Sequence, residues 1–303
     1  MEEKTYARHL RAPDGSVFAR YTAIDPADQA IHCTCGNPDC PRARLLPFRE
    51  HISELYRVLS DISHEDLAVS EHSDWDGVLY GLRMAASIED VTADIGHVEN
   101  PMVYALCEPT IDYDHAQSEM ASKYVAGATI FNFVWQAYES AVASTFPSEF
   151  PKLLKEARLG ERGRRLFEAR SEMSALFYGL EEIVGLAFFQ CERGELFTHR
   201  LERVKERFAA RDLVAAAELC REFRNFLFHG EDQSPSHEDW GSSTISRCRL
   251  YRFYTVSRLL LILIQALTWI GLADDLAFAG EEDDTPVSCR KVLETLQFRD
   301  AES

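Results

Sequence analysis

Basic residues are in short supply in this 303-residue chain: 32 Lys and Arg stand against 50 Asp and Glu, for a formal net charge of −18. Spread evenly, that charge would exclude a protein that tracks a phosphate backbone, because such binding rests on cationic neutralisation. The acid is not spread evenly. Residues 1–120 carry 9 basic residues against 22 acidic and residues 276–303 carry 3 against 7, while residues 121–275 are close to neutral at 20 against 21. The deficit of positive charge thus argues against a nucleic-acid partner at the two ends and leaves the middle of the chain permissive.

Long apolar runs are missing as well. The longest, Leu259 to Ala273, is 15 residues broken by Gln265, short of the roughly 20 that a membrane-spanning helix needs. It reads as a buried core helix, with no membrane partner expected. The opening Met-Glu-Glu-Lys has neither the basic segment nor the apolar core of a secretory leader. The eight cysteines therefore read as reduced thiols of a cytoplasmic protein. No internal repeat and no low-complexity tract occurs. With 46% apolar residues, the chain can build a real core and has room for two modest domains.

What the chain does have is one unusual helix end. From Arg211 to Gly230 the sequence reads as a single helix: Asp212 as N-cap, Ala-rich turns, then Gly230 where a left-handed residue closes the last turn. Its apolar stripe runs Leu213, Ala217, Cys220, Leu227, and Arg224 falls inside that stripe. Asn225 and His229 are four residues apart and share a face, with Arg224 one step round. A guanidinium holds a phosphate through two parallel hydrogen bonds, and imidazole titrates near neutral pH. That combination suits phosphodiester chemistry without a metal. The string Arg-Asn-x-x-x-His-Gly is expected by chance in fewer than roughly one in a thousand chains of this composition. The same residues also fit a structural role, with Arg224 pairing a buried carboxylate such as Glu181 or Glu182 and His229 capping the helix dipole.

Arg224-Asn225-Phe226-Leu227-Phe228-His229-Gly230 resembles the signature of the HEPN superfamily, all-helical domains whose Arg-x(4–6)-His motif marks many ribonucleases. The resemblance implies a homodimer or higher oligomer in which two copies of the motif face each other, and a composite cleft that cuts single-stranded RNA with no cofactor for catalysis. It assigns Arg224, Asn225 and His229 to catalysis and implies a toxin–antitoxin or antiviral defence role. Family members that have lost activity serve as dimerisation or protein-binding modules, the second function class this chain fits; an antitoxin-like assembly subunit is a third.

The fold class expected is mainly α, with a HEPN-like helical bundle over 116–280, an irregular α+β N-terminal domain over 1–115 and an acidic tail over 281–303 that is expected to be mobile and to carry a short helix from Pro286 to Leu296. Helical periodicity marks Pro47–Leu59, Met120–Ala143, Glu172–Gln190, Thr198–Ala210 and Ser243–Leu272, and Gly77–Ala86 reads as a helix or a strand–helix pair. The one internal carboxylate of the Met120–Ala143 helix, Glu139, is expected to meet Arg224 or the active site. The most basic window, residues 151–170, offers Lys155, Arg158, Arg162, Arg164 and Arg165 as RNA-binding residues or as one half of a solvated, ion-paired helix face. The acidic N-terminal region suits a regulatory protein partner.

Before that first helix, a hairpin leads into His32-Cys33-Thr34-Cys35-Gly36-Asn37-Pro38-Asp39-Cys40. Three thiolates and one further ligand make a structural zinc site. Cys33, Cys35 and Cys40 supply the sulfurs, and the fourth ligand is His32 or His51. Three reduced surface thiols, or a redox pair, fit the same spacing. The remaining cysteines are scattered singly and read as small apolar residues. Metal analysis of the purified protein is expected to find a single zinc per chain that Cys35→Ser removes; a metal-free wild-type protein would reduce the cluster to surface thiols.

Overall fold

The computed structural model of the protein describes residues 20–22, 30–32, 45–62, 67, 75–89, 91–98, 108–145, 159–194, 198–207, 210–230, 232–236, 244–272, 276–278 and 286–298. Among these, helix predominates. A two-stranded antiparallel ribbon, β1 (Arg20–Thr22) and β2 (Ala30–His32), is followed by α1 (Phe48–Asp61), α2 (Trp75–Ser87), a 3-10 turn at Ile95–Val98 and the long α3 (Glu108–Thr145). Next come α4 (Leu159–Glu168), a 3-10 turn at Ser171–Leu176, α5 (Leu180–Arg193), α6 (Thr198–Arg207), α7 (Leu213–Phe228) and α8 (Thr244–Gly271). A second small ribbon, β3 (Ala277–Phe278) with β4 (Val287–Ser288), leads into the short α9 (Cys289–Thr295).

The bundle is built round α8. Every residue from Tyr251 to Thr268 is buried, because α3, α5, α7, α1 and α9 all pack on it. A helix apolar on all sides has to be enclosed by other elements or by lipid. α8 is the one described helix long and apolar enough to cross a membrane, yet 89% of its most apolar window is buried within the protein. α2 lies against α3, and their backbones meet so closely at Gly81 that a Cβ there would sit 2.7 Å from the Phe133 carbonyl oxygen. α4 bridges α3 and α7, and α6 bridges α5 and α7.

Burial makes the polar groups of α8 structural. His51 of α1 and Gln265 are joined by a 2.8 Å hydrogen bond. The Gln265 amide donates onward to the Leu293 carbonyl at 2.6 Å and to Gln297 at 3.0 Å, and Gln297 donates to the carbonyls of Tyr178 and Glu294. Burial, with the Arg258 charge adding to it and the Gln265 bond opposing, pushes the His51 imidazole down to about 3. His51 is therefore a neutral core residue whose Nε2 is taken by Gln265, and the cysteines expected to join it at a zinc ion lie outside the described residues. Arg258 donates to the Leu46 carbonyl at 2.6 Å, and Thr255 donates to Gln190 at 2.6 Å.

Three expectations change in the folded chain. The dividing point near residue 115 lies inside α3, and buried residues from Leu45 to Phe298 join one core. The helix expected over Glu172–Gln190 is interrupted: Phe177 is extended, Gly179 takes φ +73°, and α5 starts at Leu180. The tail expected to be mobile is docked from residue 286 to 298, with Cys289, Leu293 and Gln297 fully buried and Phe298 bridged to Leu45. The α+β character expected of residues 1–115 falls largely outside the described residues.

One buried ion pair ties the loop after α7 to α8. Arg252 Nη2 and Asp232 Oδ1 are 2.5 Å apart, with side chains 0% and 1% exposed. The Arg252 guanidinium also lies 5.5 Å and 5.6 Å from the ring centres of Phe223 and Phe226 on α7. Leaving one partner of such a pair buried alone costs roughly 3–5 kcal/mol, whereas replacing both with apolar groups is often neutral. Asp232→Ala is expected to lower stability by that amount in a urea titration, and adding Arg252→Met to it should recover most of the loss. A single-variant cost under about 1 kcal/mol would mean that water reaches the pair.

Candidate functional site

The geometry of the α7 terminus follows from its caps. The Asp212 carboxylate accepts from the Ala215 N–H at 2.8 Å and starts the helix, as its sequence position implies. At the other end the His229 N–H donates to the Asn225 carbonyl at 3.1 Å, and Gly230 at φ +70° donates to Leu227 at 3.1 Å and turns the chain away. Leu213 to Cys220, Phe223 and Phe226 form the buried face. Arg224 and Leu227 lie at its margin, half-buried, so the guanidinium is not sunk in the apolar stripe.

Arg224, Asn225, Phe228 and His229 thus gather on the outward side of the last turn. Asn225 is half-buried and His229 is exposed. The Arg224 guanidinium lies 4.5 Å over the Phe228 ring, and its Nε is shielded from solvent without a hydrogen-bond partner. Among the described residues no carboxylate stands within 4 Å of it. The structural alternative of a pair with Glu181 or Glu182 is not formed; Glu181 is exposed at the start of α5.

The carboxyl nearest in influence is Glu139 of α3. Burial pushes it above the ordinary carboxylate range, while the Trp135 indole N–H and the Arg224 charge pull the other way. Glu139 thus senses the Arg224 charge, but the meeting of the two expected from the sequence does not take the form of an ion pair.

The basic window behaves differently from an RNA track where it is described. Arg164 is buried at 4% exposure and paired with Glu161 at 2.6 Å, with Glu168, and with Glu218 at 4.0 Å. Arg165 pairs with Glu161 at 3.0 Å. Arg164 is thus a correction to the expected RNA-binding set: its charge is engaged within α4 by Glu161 and Glu168, with Glu218 of α7 at the edge of ion-pair distance. Arg162 is half-buried, and Lys155 and Arg158 lie outside the described residues. Hydrogen bonds from Arg164 and Arg165 hold the Glu161 carboxyl down to about 2. The ladder continues along α7, where Arg221 bonds Glu218 and Glu222 at 2.6 Å each and Arg200 of α6 lies 3.9 Å from Glu222. Glu218, Glu222, Asn225 and His229 follow one another at helical spacing, so the paired stripe ends where the motif begins.

Of the metal candidates, Cys33, Cys35 and Cys40 lie outside the described residues, and His32 is described only as the last residue of β2, opposite Arg20. Among the described residues no group of three His, Cys, Asp or Glu could hold an ion. Cys191, Cys220, Cys248 and Cys289 are buried free thiols, and burial pushes Cys191 up to about 12. Two residues escaped the sequence reading. Phe228 had no signal beyond its place inside the motif; Arg252 had one, a charge four and three residues from the buried Cys248 and Thr255 of the same helix.

Comparison with known proteins finds no matching family model and no significant match among curated proteins or solved structures.

The coupling between Arg224 and Glu139 has a sign that can be tested. A nearby cation favours the charged carboxylate, so its removal disfavours it. In Arg224→Ala, Glu139 is expected to titrate at higher pH than in the wild type, read by carbon-13 NMR of the labelled carboxyl. An unchanged titration would separate the two residues.

Proposed function

We propose that the protein is a metal-independent endoribonuclease of HEPN type, acting on single-stranded RNA at a composite site formed by two copies of the α7 terminus. One observation carries this reading: at the end of α7 an arginine with no carboxylate within 4 Å among the described residues and an exposed histidine stand on adjacent faces of one turn. A phosphate can reach both.

In this reading Arg224 binds the scissile phosphate and stabilises the charge that grows on its oxygens in the transition state. His229 takes the proton from the 2′-hydroxyl as that oxygen attacks phosphorus, and the histidine of the second copy gives a proton to the departing 5′-oxygen. Asn225 orients phosphate or imidazole. The products are a 2′,3′-cyclic phosphate and a 5′-hydroxyl. A cytoplasmic toxin–antitoxin or antiviral role, with the acidic N-terminal region receiving a regulatory protein, completes the proposal by analogy with the family.

A second reading is favoured by the ion-pair ladder. With Arg164 and Arg165 engaged by Glu161, the described part of the basic window offers RNA little unpaired charge, which suits a catalytically silent dimerisation module. The two readings separate in one assay. Purified protein in EDTA is expected to cut an end-labelled single-stranded RNA, and Arg224→Ala and His229→Ala should each lower the rate by at least about 100-fold. Absence of cleavage by the wild type, or full activity in both variants, would sink the nuclease reading.

A further inference from the structure

The last turn of α7 presents an aromatic ring that packing does not use. Phe223 and Phe226 are fully buried, whereas Phe228 is 57% exposed, and it is the one large apolar side chain of α7 that is exposed. A single exposed apolar residue is ordinary on a protein surface. The company of this one is not: Arg224 lies 4.5 Å over its ring, and Asn225 and His229 flank it in the same turn. With one face of the ring backed by a guanidinium and more than half of the side chain in solvent, a flat partner can stack on what is left open.

We infer that the open face of Phe228 is a stacking platform for a nucleobase, placed so that the base sits on the ring while the adjoining phosphate meets Arg224; the inference rests on the nuclease reading above. The chemistry matches the ligand part by part. A guanidinium recognises phosphate through its in-plane N–H groups, which leaves its flat face on the ring. Every base has a π-face, so such a platform tolerates sequence. A base inside a duplex has both faces covered by its neighbours. The platform therefore selects RNA that is single-stranded or has a base splayed out. An isolated ring beside a cation, an amide and an imidazole is also a poor match for an apolar protein surface, which needs a contiguous patch.

The test uses the full chain in a His229→Ala background, which prevents cutting, and a single-stranded RNA of about ten nucleotides carrying the fluorescent base 2-aminopurine. Stacking should quench the fluorescence on binding. Phe228→Leu should weaken binding by roughly 5- to 150-fold, the range that one base–aromatic stack supplies, and Phe228→Trp should restore it. The Phe228→Leu loss should disappear when the probe carries an abasic nucleotide at the stacked position. Because Phe228 is exposed, its variants should unfold at the wild-type temperature.

The proposal is overturned if Phe228→Leu binds as tightly as its parent, if the loss persists in full on the abasic probe, or if the parent binds no RNA. It is overturned equally if Phe228→Leu leaves RNA affinity intact and halves the sedimenting mass, which would make the ring a contact between two copies of the chain. Wild-type protein that binds and quenches the probe without cutting RNA would leave the platform standing and remove the nuclease reading; cutting with no quenching would do the reverse.

Discussion

The rest of the structure depends on satisfying polar groups inside a helix that is buried on every side. α8 carries Arg252, Thr255, Arg258 and Gln265 at positions with 1% exposure or less. Left unpartnered, such groups would cost more than the surrounding apolar contacts return. Each therefore fixes a neighbour. Gln265 holds α1 through His51 and α9 through Leu293 and Gln297. Thr255 holds α5 through Gln190, Arg258 holds the entry to α1 at Leu46, and Arg252 holds the loop that leaves α7. The polar side chains of α8 thus set where its neighbours attach, while its aliphatic ones supply the burial.

The same requirement shapes the candidate site by contrast. Arg164, Arg165, Arg221 and Arg252 all have carboxylates within ion-pair distance. Arg224 has an aromatic ring and a carboxyl felt only at longer range. A guanidinium kept half-buried and without a pairing anion retains its affinity for one, and the end of α7 puts an imidazole within the same turn. The Asp232–Arg252 pair bears on this arrangement from below. It anchors the chain three residues after His229 and places a buried cation against Phe223 and Phe226. The turn proposed to be catalytic thus lies next to a buried ion pair.

Much of the helical skeleton was legible in the sequence. The 3.6-residue pattern located α1, α3, α6 and α8, and the Asp212 and Gly230 signals bracketed α7 to within a residue or two. Where the reading failed, a local signal was outvoted by packing. The polar stretch Asp112 to Glu119 looks like a linker, yet it continues α3. The Glu172–Gln190 periodicity runs across Gly179, whose left-handed backbone restarts the helix. The short helix expected over Pro286–Leu296 contains α9, but its docking through the buried Cys289 and Leu293 is concealed by the charged character of residues 281–303.

By itself the sequence determined where most of the helices lie, how α7 begins and ends, and that Arg224, Asn225 and His229 share its last turn, because periodicity and capping act over a few residues. The tertiary structure decided which groups meet across helices. The Arg164 pairs with Glu161 and Glu168 are set at helical spacing within α4, whereas whether Arg224 meets a carboxylate, and whether His51 Nε2 meets a glutamine 214 residues away, depends on which helices pack together. Those contacts are long-range, and burial then sets the cost of each unpaired group.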